Sequence, residues 1–292
     1  MTHPHVEAQQ LSKSFGTHQV LREVTADVAP GDIIGVLGKN GAGKTTLLEL
    51  MLGFSPPTSG AIRVFGQESL RMTNESKARV GFVPQQDELI NQLTAWDHLR
   101  VIGSFYRNWD DKFIRELSGA WEIDLNERVR KMSVGQRQKL SILQALGHHP
   151  DLLVLDEPVA SLDPIARRQF LEQIIDISTD SQRAVVFSSH IVSDIERLAN
   201  KIWILKDQRL FWAGEIDSLK ESVVRVHVRG KRPLPKEFSL PNAYSFEVDG
   251  TYATGVVGGW SLEAQSTLIG AVGSGVEIQP LTLEEIFLEM HR

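Results

Sequence analysis

The segment Gly38-Lys39-Asn40-Gly41-Ala42-Gly43-Lys44-Thr45-Thr46 narrows the possible folds of this chain more than any other. It satisfies G-x-x-x-x-G-K-[ST], in which the glycines let the backbone turn tightly enough for successive N–H groups to converge on phosphate oxygens. Such a loop works only between a strand and a helix. Ile33-Ile34-Gly35-Val36-Leu37 precedes it as an apolar strand, and Leu47-Leu48-Glu49-Leu50 follows it as a helix. The helix N-terminus near Lys44 adds partial positive charge. Lys44 offers a mobile point charge to the β- and γ-phosphates, the Thr45 hydroxyl can ligate Mg²⁺, and Thr46 adds a second hydroxyl within reach.

Around this loop the pattern is that of an α/β protein. Asp32 to Leu37, Val80 to Val83, Leu152 to Leu155 and Ala184 to Phe187 are buried-looking runs, each followed by a helical stretch. That order predicts a mostly parallel sheet covered by helices, the fold class of P-loop nucleotide hydrolases. Val6 to Gln10, Gln19 to Leu21 and Thr25 to Val28 predict a small antiparallel subdomain ahead of it. From about residue 87 to 132 the strand signal vanishes. Thr94-Ala95-Trp96-Asp97 reads as a capping-box start, and Asp110-Asp111 with Phe113, Ile114 and Leu117 opens a second helix. The result is a helical insert between two strands.

After Gly214 the texture changes. Val224, Val226 and Val228 alternate with Arg225, His227 and Arg229. Tyr244 to Val248 and Tyr252 to Val257 flank an Asp249-Gly250 turn, and a helix (Ser261 to Ile269), a strand (Val276 to Gln279) and a final helix follow. Thr282-Leu283-Glu284-Glu285 caps that last helix. The expected division is an ATPase-type domain over 1–214 and a small C-terminal α+β accessory domain over 215–292.

Composition removes other classes. The chain has no cysteine, which excludes disulfide scaffolds, zinc–thiolate sites and thiol catalysis. Its formal charge of −6, with both halves net acidic, weighs against a dedicated nucleic-acid binder, so no nucleic-acid partner is expected. No run approaches the roughly 18 apolar residues of a membrane span, and the first residues lack the regions of a secretory signal. Action at a membrane would therefore need a partner.

Two further segments carry chemistry. Leu152-Leu153-Val154-Leu155 delivers Asp156 to the C-terminal end of a buried strand, where ligands sit in open α/β sheets. Strand alternation then points Glu157 the other way, which suits Asp156 to Mg²⁺ and Glu157 to polarising an attacking water. In Met132-Ser133-Val134-Gly135-Gln136, Ser133 and Gln136 have capping-box spacing at the start of a helix. That helix end is a second anion cradle, and two cradles in one chain suggest two surfaces sharing one nucleotide.

Together these segments resemble the ATP-binding cassette (ABC) ATPases, specifically the nucleotide-binding subunits of transporters. The Ser133, Gly135 and Gln136 stretch resembles the family signature, with Val134 in place of its first glycine. The resemblance assigns Phe15 to stacking on adenine, Gln85 to Mg²⁺ and the attacking water, Asp163 to communication across a dimer, and His190 to sensing the γ-phosphate. Taken singly, Phe15 also reads as a core phenylalanine, Asp163 as a helix cap before Pro164, and His190 as structural; Gln86 competes with Gln85. The implied cofactors are ATP and Mg²⁺, the latter held by Thr45, Gln85 and Asp156. The implied partners are a separate transmembrane permease and a second cassette, in a homodimer or a mixed pair. The implied location is cytoplasmic, peripheral to the membrane through the permease.

Leu281-Thr282-Leu283-Glu284-Glu285-Ile286-Phe287-Leu288 resembles the ending of drug, antibiotic and polysaccharide exporter subunits, which favours export. The competing reading is a soluble ABC ATPase acting on ribosomes or DNA. A single cassette, an insert without heptads and the acidic balance weigh against it.

Overall fold

The computed structural model describes all residues except 1, 2, 160, 161, 163, 165, 166, 169, 171, 173, 175–182, 235–237, 273, 274 and 292. The chain separates into two compact units, Met1–Ala213 and Gly214–Arg292.

Unit one holds two sheets among the described residues. The first is antiparallel, in the order β2-β1-β4-β5, from β1 (Val6–Phe15), β2 (His18–Val28), β4 (Ser59–Val64) and β5 (Gln67–Glu68). Both β1 and β2 run further than hydrophobic alternation alone indicates. Gln19 to Leu21 and Thr25 to Val28 belong to one strand, because the polar Arg22-Glu23 step is absorbed by irregular pairing with Glu23 at φ 51°. Its N–H is satisfied by Ser12 Oγ at 2.9 Å.

The second sheet has the order β10-β9-β3-β8-β7-β6, from β3 (Ile33–Leu37), β6 (Val80–Val83), β7 (Leu152–Leu155), β8 (Ala184–Ser189), β9 (Lys201–Lys206) and β10 (Arg209–Glu215). The pairs β6·β7, β7·β8, β3·β8 and β3·β9 are parallel. All four residues of β7 and all six of β8 are buried. Burying the valine, leucine and phenylalanine side chains stabilises by about 1.5–3 kcal/mol each, which is why β7 and the first four residues of β8 read as unbroken apolar runs. The hairpin β9–β10 turns through Asp207 and Gln208, both at positive φ, and has no glycine to mark it in the sequence.

Register decides where a ligand can sit. Val83 pairs with Leu155, Leu155 with Phe187, and Leu37 with Ser189. The C-terminal ends of β6, β7, β8 and β3 therefore finish side by side, and whatever follows each strand gathers along one edge of the sheet.

The insert carries α3 (Ala95–Gly103) and α4 (Asp111–Ala120), and its base is closed by one antiparallel bridge, Thr94 to Arg128. Thr94 caps α3 by accepting from Asp97 N–H at 3.1 Å. The reciprocal half of a capping box is absent: the Asp97 carboxylate accepts from the Thr94 hydroxyl (2.7 Å), because aspartate is a methylene too short to turn back to the backbone N–H. Asp110 caps α4 through Phe113 N–H at 2.8 Å. The insert is fastened to α5 (Val134–Leu146) by buried His98, whose Nε2 meets Gln144 Oε1 at 2.7 Å.

Unit two is a four-stranded antiparallel sheet, β12-β13-β11-β14, from β11 (Val224–Arg229), β12 (Ala243–Asp249), β13 (Tyr252–Val257) and β14 (Val276–Pro280). Val224, Val226 and Val228 face its core with Leu240, Ala253, Val257 and Leu268. The final helix (Leu283–Met290) opens with the complete Thr282–Glu285 capping box and is joined to β11 by Arg225, which reaches Glu285 at 3.7 Å and Glu289 at 3.6 Å. No helix among the described residues is long and apolar enough to cross a membrane.

His148, between α5 and β7, sits buried under Tyr106 with ring centroids 4.0 Å apart, and its Nε2 meets the Val80 carbonyl at 3.1 Å. Burial pushes its pKa from 6.5 down to about 4. Below pH 6.5 the unfolded chain therefore takes up a proton that the folded chain refuses, and stability falls until about pH 4. Replacing His148 by Phe keeps a stacking ring and removes the proton. Relative to this variant, wild type should lose about 2 kcal/mol between pH 7.5 and pH 5 in urea unfolding. Parallel pH profiles for the two proteins would refute this role.

Candidate functional site: a phosphate cleft at the sheet edge

The loop after β3 enters α1 (Lys44–Met51) through Gly43 at φ 98°, ψ 12°. A Cβ there would lie 2.8 Å from Leu21 Cδ2 and 3.1 Å from the Val20 carbonyl, so both the backbone angle and the close approach of β2 require glycine. Ala42 N–H donates to Lys39 O at 3.1 Å, closing the turn. Lys44 is only 8% exposed, and its Nζ donates to Gly38 O at 2.9 Å and Lys39 O at 3.4 Å. Gly38 is buried, whereas Lys39, Asn40 and Gly41 are exposed at the tip.

Across from the loop, Glu157 Oε1 stands 3.6 Å from Lys44 Nζ, and Glu157 Oε2 lies 2.7 Å from His190 Nδ1. A carboxylate can only accept, so Nδ1 carries the proton in that bond. Glu157 is 8% exposed and His190 49% exposed. Strand alternation is not what separates the two acids. β7 ends at Leu155, and Glu157 adopts φ 48°, a left-handed turn off the end of the strand. Asp156 remains buried, with its N–H bonded to Val83 O at 2.9 Å.

Ser188 ties these groups together. Its hydroxyl donates to Asp156 Oδ1 at 2.6 Å and accepts from Glu157 N–H at 2.8 Å, and it is wholly buried. One side chain thus orients one carboxylate and pins the backbone turn of the other. The sequence alone assigns Ser188 no role. Nothing in a Ser-Ser pair closing an apolar strand announces such a role; a buried hydroxyl needing partners is the sole signal.

The cleft between these elements has a volume of about 440 Å³ and is lined by Asn40, Gly41, Gly43, Lys44, Thr45, Thr46, Gln85, Glu157, His18 and Val20. Gln85, not Gln86, belongs to the lining. His18 and Val20 were not anticipated; they reach the cleft because β2 packs directly on the phosphate loop. Phe15 lies outside this lining but pairs directly with His18 across the β1–β2 hairpin, with 53% of its surface exposed. It is therefore a rim residue, not a core phenylalanine. Asp156 stays behind the cleft wall. Ser133, Gly135 and Gln136 take no part in the lining, and Asp163, with Ser161, lies outside the described residues.

The capping box at Ser133 forms as its spacing predicts. Ser133 Oγ accepts from Gln136 N–H at 3.2 Å, and Gln136 Oε1 accepts from Ser133 N–H at 2.8 Å. Val134 is 60% exposed beside them. A Cβ on Gly135 would meet only Leu162 Cδ2, at an ordinary 3.5 Å, so this chain's own packing does not require glycine there. Arg137, directly after Gln136, forms a two-pronged ion pair with Asp87 and donates to Asn91 Oδ1 at 2.6 Å. The segment just after Gln85 is thereby fastened to the helix that Ser133 caps.

The donor set fits Mg²⁺. Among the described residues no group of three His, Cys, Asp or Glu could hold a metal alone. Thr45 and Gln85, both in the cleft lining, carry hard oxygen donors of the kind that suit an ion held jointly with substrate phosphates.

Comparison with known proteins agrees with this geometry. The ABC transporter family matches residues 21–160. The bacitracin transport ATP-binding protein BcrA of Bacillus licheniformis is 34% identical over 220 residues, 74% of this chain and 71% of that protein. The chain belongs to the ABC transporter ATP-binding proteins. It is an ATPase subunit of that family, and the ribosome- or DNA-directed reading gains no support from these matches. Nod factor export ATP-binding protein I of Cupriavidus metallidurans is 29% identical across 98% of this chain and 96% of its own, so the likeness runs through unit two. A solved ATP-binding subunit of an ABC transporter superposes with a TM-score of 0.67 at 26% identity, covering 74% of this chain and 92% of that one.

Substituting Ser188 by Ala leaves Glu157 N–H and one Asp156 oxygen without a partner. ATP hydrolysis should fall at least about tenfold in kcat, with ATP affinity within about twofold of wild type. A variant with unchanged kcat would show that the cleft does not depend on this clasp.

Proposed function

We propose that two such cassettes close head to tail on ATP, in a homodimer or a pair with a related chain. Each nucleotide then lies between the Gly38–Thr46 loop of one copy and the Ser133, Gly135 and Gln136 cradle of the other. The observation that carries this reading is that a fully capped, outward-facing cradle exists on α5 yet contributes nothing to the chain's own cleft. A triphosphate brings several negative charges, and one loop that sets a single lysine, Lys44, in the cleft lining leaves part of that charge without a partner. A second helix N-terminus arriving from another copy completes the neutralisation. Closure is then a two-state equilibrium biased by the γ-phosphate, and loss of that group by hydrolysis releases it.

Within the cleft the roles follow from position. Lys44, now facing Glu157, turns to the β- and γ-phosphates when nucleotide enters. Glu157 is left on His190 and polarises the water that attacks the γ-phosphorus. His190, half exposed beside it, holds the carboxylate and meets the terminal phosphate; Phe15 stacks on the adenine. Thr45, Gln85 and Asp156 would hold Mg²⁺, Asp156 directly or through a water, and the ion would supply charge neutralisation on the phosphates. Asp163 is assigned to signalling across the dimer on the family resemblance alone.

A separate transmembrane permease docks on the helical insert near Gln85 to Trp96 and places the subunit on the cytoplasmic face of the membrane. The Asp87–Arg137 pair supports this: it links the insert's entry to the helix bearing the trans cradle, so a push at one is felt at the other. Export is favoured over import by the likeness to a Nod factor export protein over 98% of this chain. Val134 presents a β-branched side chain to the proposed interface where the family carries glycine.

Glu157→Gln keeps shape and removes the base. The variant should bind ATP, accumulate as an ATP-loaded dimer in size-exclusion chromatography, and lose about 10²-fold or more in turnover. Sustained multiple-turnover hydrolysis by the purified variant would remove Glu157 from the role of base.

A further inference from the structure

Lys13 occupies an unusual place for a lysine. It lies on β1 two residues before Phe15, where the pairing with β2 slips on both sides of it, and it is only 7% exposed. Irregularities of this kind re-aim side chains next to functional sites. Residues i and i+2 of a strand share a face, and here Lys13 Nζ stands 4.7 Å from the centroid of the Phe15 ring. The same Nζ donates to the Pro56 carbonyl at 2.7 Å. Two backbone-directed bonds reinforce the contact: Thr58 N–H donates to Ser12 O at 2.8 Å, and Ser14 N–H donates to Thr58 Oγ1 at 2.9 Å.

Pro56 to Thr58 belong to the connection that leaves α1 and enters β4. The strand that carries Phe15 is therefore clasped to the exit of the helix that the phosphate loop opens. A lysine so deeply covered is uncommon unless its charge has partners, and here the partners are one carbonyl and one aromatic face. With the ammonium against one face of the ring, the solvent-exposed remainder of Phe15 is held in a single presentation.

We propose that Lys13 is a positioning residue for the nucleotide base. Its ammonium fixes the Phe15 ring by a cation–π contact, and its bond to Pro56 sets the distance between that ring and the phosphate loop. Adenine then meets a platform already ordered, and the cost of immobilising a free aromatic side chain is removed from binding. The inference rests on the assignment of Phe15 to adenine stacking.

Full-length protein titrated calorimetrically in EDTA, with ATP and separately with inorganic tripolyphosphate, tests the two claims apart. Lys13→Met should bind ATP about three- to tenfold more weakly and tripolyphosphate within about twofold of wild type. Lys13→Arg should recover most of the ATP affinity, and Lys13→Met combined with Phe15→Ala should be no weaker than Phe15→Ala alone. Equal loss for ATP and tripolyphosphate would make Lys13 a structural residue only and overturn the proposal. Selective loss in Phe15→Ala without loss in Lys13→Met would overturn it while leaving the platform intact. Unchanged ATP affinity in Phe15→Ala would overturn the platform assignment itself. Should Lys13→Met not fold, Lys13→Gln removes the charge, keeps an N–H donor for Pro56, and is read by the same criteria.

Discussion

A lysine ammonium almost wholly covered by protein is the constraint on which the rest of the first unit depends. Lys44 is held by two loop carbonyls and faces a carboxylate that is covered to the same degree. Charges so placed are expensive unless each is paired, and the pairing must be exchangeable if a ligand is to bind. The fold meets both demands by building the loop from glycine-permitted turns, setting it at the end of a buried parallel strand, and bringing Glu157 to it from the strand two places away in the sheet. In the proposed binding mode, arrival of a triphosphate exchanges one anion for another at Lys44.

The parallel sheet makes the exchange consequential. Because β3, β8, β7 and β6 end in register, the phosphate loop, His190, the Asp156–Glu157 pair and Gln85 form one row. His190 meets Glu157 directly, Ser188 ties the Asp156–Glu157 pair to the strand that leads to His190 through two hydrogen bonds inside the sheet, and the Asp87–Arg137 ion pair joins the segment after Gln85 to the α5 cradle. Each coupling is short, buried or half-buried, and made by groups with few alternative partners. A change of ligand at the loop therefore has a continuous physical route to the proposed permease and dimer surfaces, though the two-state behaviour along that route belongs to the proposal.

Much of this was legible in the residues. Val80–Val83, Leu152–Leu155 and the run from Ala184 announce themselves as buried parallel strands, because such strands need no polar alternation. Ser133 with Gln136, and Thr282 with Glu285, specify their capping boxes by spacing alone, since glutamine and glutamate are long enough to reach back. The same spacing misled at Thr94, where Asp97 is too short. The single long β2 escaped notice because Arg22 and Glu23 break the apolar pattern while the backbone continues through them. The left-handed turn at Glu157, the Ser188 clasp and the approach of His18 and Val20 to the loop are consequences of tertiary packing, which no local pattern encodes. Ser133, Gly135 and Gln136 form a third case: they cap their own helix but line no part of the chain's own cleft, and a further purpose is legible only if a second copy is supposed.

The shared nucleotide is the central claim, and the absence of cysteine makes it directly measurable. Asn40→Cys and Ser133→Cys, introduced into separate copies, are mixed and treated with a short thiol-reactive cross-linker in EDTA with ATP or ADP. The account predicts a cross-linked pair that forms with ATP, requires both variants in the mixture, and fails with ADP. Cross-linking that ignores the nucleotide, or that arises equally within either variant alone, would contradict the head-to-tail arrangement.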